Sequence, residues 1–109
     1  METSQINGVI DVLEDARKRK HMFLKDVDPS ATINWLNGFM AAVSTLTGRM
    51  HHKFHEQAYR QRGWEFSARG PWVEMQERGL EEDAIVDELF ALEILAWHLR
   101  LEEAKTSSE

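Results

Sequence analysis

Cysteine is absent from this chain of 109 residues, and proline occurs only twice. Without cysteine there are no disulfides and no all-cysteine zinc or iron–sulfur sites, so nothing in the composition calls for an oxidising compartment. No apolar run approaches the roughly 20 residues needed to span a bilayer. Met1 to Asn7 is polar and lacks the apolar centre of a signal peptide, so the expected location is the cytoplasm. Alternating strand patterns of useful length, internal repeats and low-complexity tracts are missing too. So are the Gly-x-Ser-x-Gly elbow, a glycine-rich phosphate loop and His-Glu-x-x-His. No catalytic residue and no cofactor is assigned on this basis.

What remains is the composition of an ordinary soluble domain, 42% apolar and 29% charged with a formal net charge of −6. The length suits one compact domain over residues 1–109, with about 1–3 and 105–109 frayed. Its pattern is all-α. Ile6, Val9, Ile10, Leu13 and Ala16 recur at spacings of three and four and predict a helix over 4–20, capped by Thr3 or Ser4. Arg17, Lys18, Arg19 and Lys20 follow at the negative end of its dipole. His21 to Val27 is expected as a connector with Met22, Phe23 and Leu24 tucked against the core. Asp28-Pro29-Ser30 is a helix start, since Asp can cap and proline tolerates the first turn.

Ile33, Leu36, Met40, Val43, Thr47, Met50 and Phe54 then step by alternating threes and fours, three heptads held in phase. Trp35, Phe39, Ala42 and Leu46 widen that stripe. The phase favours one long central helix from Pro29 to about Arg62; a break at Gly48 into two helices is the alternative. Gly63 to Pro71 is a loop with Trp64 and Phe66 as plugs, and Trp72 to Glu77 forms a short helix ending at Gly79. A last helix from about Glu81 to Ala104 carries Ile85, Leu89, Leu92, Ala96 and Leu99, with Val86, Phe90 and Trp97 alongside. The expected fold is therefore a small helical bundle of three to four main helices.

Charge is polarised along the chain. Residues 31–72 hold five basic and two acidic side chains plus three histidines, and residues 73–109 hold three basic and eleven acidic ones. If the central and last helices are antiparallel neighbours, their complementary ends lie close together. The acidic surplus reads as a solvated face, with phosphate mimicry by an inhibitor as the alternative. With an isoelectric point near 5.3, the basic end at Arg17–Lys20 makes a poor nucleic-acid signature.

One cluster has metal-ligand spacing. His51 and His55, and likewise His52 and Glu56, are four apart and share a helix face. A divalent metal there needs a further ligand from the last helix, where Glu82, Asp83, Asp87 and Glu88 are available. A polar helix surface is the competing reading. A magnesium cage built on the acidic helix is understaffed, because the facing helix offers only Glu56. Four tryptophans are many for this length, and Trp64 and Trp72, beside the loop, are candidate contact residues.

Arg19-Lys20-His21-Met22-Phe23-Leu24, Leu36-Asn37-Gly38-Phe39, Gly63-Trp64 and Glu82 through Leu92 occur in an order that resembles a set of small bacterial proteins. Those carry Arg-Pro-Gly-Met-Tyr-Leu-Gly early, then a Leu-x-Gly-aromatic helix and a closing acidic–apolar helix. Lys20 stands where that pattern has proline, and His21 and Lys25 where it has glycine. The resemblance implies a helical fold and no catalytic residues.

The expectation that follows is a non-catalytic binding or inhibitory module acting through protein–protein contacts, of an antitoxin, immunity or anti-defence kind. The rival is a metal-dependent or nucleotide-handling enzyme built on His51, His52 and His55 with the acidic last helix. A central helix of about 34 residues would be about 50 Å long and overhang its bundle, leaving Met50, Phe54 and Tyr59 uncovered. A homodimer is the simplest cover, and a second protein is the other expected partner.

Overall fold

A computed structural model describes residues 2–47, 52–65 and 70–107, and among these the protein is helical with no strand. The helices are α1 (Thr3–Lys18), α2 (Lys20–Phe23), α3 (Pro29–Thr47), α4 (His52–Gln61), α5 (Pro71–Glu77) and α6 (Glu82–Ser107). No described helix is long and apolar enough to cross a membrane. The radius of gyration, 13.9 Å, is close to the roughly 13 Å of a compact chain this long.

The organising element is α6 rather than the heptad helix. Ile85, Val86, Leu89, Phe90, Ala91, Leu92, Ile94, Ala96, Trp97 and Leu101 are all buried, which leaves α6 apolar around most of its circumference. A helix of that kind needs cover on several sides, and α1, α3, α4 and α5 all pack on it. Its 26 residues run to Ser107, past the expected fraying at Lys105, with Thr106 Oγ1 donating back to the Glu102 carbonyl at 2.9 Å.

Local sequence explains most helix ends. The first helix starts one residue early: Glu2, not Thr3 or Ser4, is the cap, and its N–H donates to Gln5 Oε1 at 2.9 Å. Ile6, Ile10, Leu13 and Ala16 form its buried stripe as the spacing predicts. Asp28 caps α3 by accepting the Ala31 N–H at 2.8 Å, ahead of Pro29 in the first turn. At the end of α4, Trp64 N–H bonds the Tyr59 carbonyl at 2.8 Å and Gly63 takes φ +83°. The end of α5 repeats this with Leu80 N–H on the Met75 carbonyl at 3.1 Å and Gly79 at φ +86°. Only glycine adopts such angles without steric cost, so these two glycines set where the chain turns.

Three expectations need correction. Leu24 is buried and Phe23 half-buried, but Met22 is 73% exposed, because the α2 turn points it outward. Phe54 is not uncovered: it is 3% exposed, packed with Ala58 against Ala96 of α6. Nor does α4 overhang, since Ile33, Leu36 and Met40 of α3 line one cleft together with His55 and Tyr59 of α4. A single straight helix over 29–62 would hold those side chains far apart. Gly48, where the alternative places a break, and Met50, expected to be uncovered, lie outside the described residues.

Burial sets the expected mutational pattern. Leu92→Ala and Leu36→Ala should destabilise by about 2–5 kcal/mol, half-buried Val43→Ala by about 1 kcal/mol, and exposed Lys53→Ala by about 0.5 kcal/mol or less. Chemical denaturation measures all four, and equal small losses would contradict the placement of the core.

Candidate functional site

Where α3, α4, α5 and α6 meet, a cleft of about 420 Å³ opens. Ile33, Leu36, Met40, Pro71, Trp72, Leu89 and Leu92 make its apolar walls, while Asn37, His55, Tyr59 and Glu93 supply polar groups. Size and lining are those of a small-ligand pocket. Gly70 introduces Pro71 at the first position of α5, and that short helix carries Trp72 to the wall.

Glu93 is the site's unusual residue. It sits in the middle of the apolar run of α6 and is only 6% exposed. A buried carboxylate is expensive unless its oxygens are hydrogen-bonded. His55 Nε2 lies 2.9 and 3.0 Å from its two oxygens, and the fully buried Trp97 donates Nε1–H to Oε2 at 3.0 Å. This pair links α4 to α6 at one register. Next to it, burial and the Glu93 charge push the Tyr59 phenol up to about 12, so it stays protonated at neutral pH.

Trp72 contrasts with Trp97. Its Nε1 is buried and has no hydrogen-bond partner, the one such side-chain atom among the described residues. An unmade bond of this kind costs about 1–3 kcal/mol.

The described members of the expected metal cluster do not converge. His51 lies outside the described residues, His52 is exposed, His55 turns inward to Glu93, and Glu56 bonds Arg60 at 3.0 Å. Among the described residues no three His, Asp or Glu side chains converge as metal ligands do. Nor do the acidic residues of α6 form a cage. Arg17 grips Asp87 with two bonds of 2.8 Å. Arg62 Nη2 holds Glu88 at 2.7 Å, and Trp64 donates to the same carboxylate at 2.8 Å. The Arg17 guanidinium holds Asp87 below the usual carboxylate range. Burial alone would raise Glu88, but its bonds to Arg62 and Trp64 outweigh that and hold it low as well. Lys53 reaches Glu103 at 2.7 Å. The complementary charges therefore meet within the chain, with α4 antiparallel to α6.

Of the expected contact residues, Trp64 is committed internally, its ring covered by Arg78 at 4.5 Å and its N–H given to Glu88. Tyr59 and Trp72 line the cleft, and Met50 lies outside the described residues. The sequence reading overlooked Glu93. A single charged side chain inside Leu89–Leu99 was the available signal, because a charge on a buried face must find a partner.

A second feature lies on the outer side of α3. Asn34, Gly38, Ala41, Ala42 and Thr45 are exposed along it, with Trp35 and Phe39 stacked at 5.3 Å beside them.

Compared with protein-family models, curated proteins and solved structures, the chain matches none. The resemblance to small bacterial helical proteins rests on its sequence landmarks alone.

The protein's single tyrosine makes the cleft's polarity measurable. Tyrosinate absorbance should appear only near pH 12, and Glu93→Gln should lower that transition only in part, leaving it above the ordinary value of about 10, because burial, the larger cause, remains. Because the folded phenol titrates above the unfolded one, its stabilisation is complete below about pH 10 and is lost as pH rises toward 12. An ordinary titration near 10 in the folded protein would contradict the buried site.

Proposed function

We propose that this protein is a non-catalytic helical binding module that acts through protein–protein contacts, first of all with a second copy of itself. The observation that supports the reading is the condition of α3. No charged residue occurs from Pro29 to Gly48, yet among its described side chains only Pro29, Thr32 and Leu36 are buried. A helix with that composition ordinarily has apolar cover on more than one side. On the outer side, Gly38, Ala41, Ala42 and Thr45 recur at spacings of three and four, and these short side chains let a second helix approach closely. Trp35 and Phe39 flank them with apolar area.

The ion pairs between α4 and α6 leave charge complementarity with little part in self-association. The contact is apolar, and a two-fold pairing of α3 with α3 is the closed arrangement it favours. A further protein partner, as for an antitoxin, an immunity protein or an anti-defence inhibitor, would use the same face and compete with the dimer.

Light scattering at micromolar concentration tests this directly. A mass about twice 12.7 kDa is expected, and a mass of 12.7 kDa would overturn self-association. Ala42→Glu, an exposed substitution costing about 0.5 kcal/mol or less in folding, should return the protein to the monomer mass without unfolding it.

A further inference from the structure

Of the helices packed on α6, α5 is the most lightly anchored. Seven residues are too few to hold a helix without tertiary support. Met75 is its one buried side chain, with Trp72 half-buried beside it. By contrast α1 buries four side chains along its stripe, and α4 is pinned by Phe54, Ala58 and the contact of His55 with Glu93.

Docking α5 also carries a cost. The Trp72 Nε1 is sealed from solvent without an acceptor, whereas the same N–H is satisfied in water. Undocking recovers that hydrogen bond while it exposes Met75. The docked and undocked states therefore lie closer in free energy than the apolar burial alone implies.

Both ends of the segment are built to rotate. Gly70 and Gly79 take φ +78° and +86°, and a Cβ at either would meet nothing within 4 Å, so each glycine serves the backbone angle rather than close packing. Glu74 and Arg78 reach the turn after α4. Glu74 Oε2 accepts the Glu65 N–H at 3.0 Å, Arg78 donates to the Gly63 carbonyl at 3.0 Å, and its guanidinium covers the Trp64 ring at 4.5 Å. The Arg78 side chain is 51% exposed, so water and salt weaken this latch.

We propose that α5 is a strap, hinged at Gly70 and Gly79 and latched by Arg78, that undocks from α6 as one unit and opens the cleft while α1, α3, α4 and α6 stay folded. Undocking withdraws Pro71 and Trp72 from the cleft lining, so that water reaches Glu93, His55 and Tyr59 from the α5 side.

Hydrogen exchange followed by NMR on the intact protein tests this. The sealed Trp72 indole proton exchanges only when water reaches it. It should share one opening with the amides of Arg78, Gly79 and Leu80, which bond carbonyls of α5. That opening should be at least about a hundredfold more populated than the one exposing Leu89 to Trp97, with a weaker denaturant dependence. It should not vary with protein concentration, which separates it from pairing along α3. Arg78→Ala should populate it about fivefold more. Arg17→Ala, which loosens α1 from α6, should speed exchange at Leu89 to Trp97 and leave the α5 opening unchanged, because α1 stays docked while α5 is open. Protection of the α5 amides equal to that of Leu89 to Trp97 overturns the strap, as does an equal response of both to Arg17→Ala. An indole proton that exchanges apart from those amides overturns the single unit, and an unchanged opening in Arg78→Ala overturns the latch.

Discussion

Burying α6 on nearly all sides is the constraint from which the rest of the structure follows. One helix supplies apolar side chains from Ile85 to Leu101 around most of its surface, and a 109-residue chain must find enough other helix to cover them. Covering several sides of one rod produces a hub with α1, α3, α4 and α5 around it, rather than a bundle of equals. Hydrophobic burial of this kind is strong but undirected. Direction comes from polar groups placed among the apolar ones.

Three acidic residues of α6 give that direction. Asp87 receives Arg17 and so fixes the end of α1, Glu88 receives Arg62 and Trp64 and fixes the end of α4, and Glu93 receives His55 and Trp97 from within the core. The two outer pairs are partly exposed and contribute modestly to stability. The inner one excludes registers, because any slip of α4 along α6 would leave a buried carboxylate without His55. Arg78 completes the frame by donating to the Gly63 carbonyl at 3.0 Å and to Glu74 at 2.9 Å, tying the end of α5 to the turn after α4. The cleft lies where these ties hold α4 and α5 beside α6, with α3 supplying the remaining wall through apolar contact.

Much of this is written locally in the sequence. The stripe Ile6, Ile10, Leu13 and Ala16, the start at Asp28-Pro29, the stops at Gly63 and Gly79 and the apolar positions of the last helix all follow from spacing and capping chemistry, which depend on near neighbours. The opposite charge of the two halves was also legible, but that they meet as antiparallel neighbours within one chain was only a condition of that reading. What was not legible depends on pairing at long range. Heptad phase marks residues that share a helix face but carries no information on which helix they meet, so Phe54 was expected at a surface when it lies beneath α6. The histidines offered a metal-like spacing, whereas the partner of His55 is a carboxylate 38 positions away. Met22 and Leu24 have similar hydropathy, and only the α2 turn separates the exposed one from the buried one.

α6 is the cooperative centre, and α3, of whose described side chains only Pro29, Thr32 and Leu36 are buried, is held less firmly against it. Native-state hydrogen exchange reads this residue by residue. Amides from Leu89 to Trp97 should exchange last, with an opening free energy equal to that of global unfolding. Those from Gly38 to Thr45 should open earlier when the protein is dilute. Exchange in α6 by local opening, while α3 or α1 stays protected to the global limit, would contradict the account.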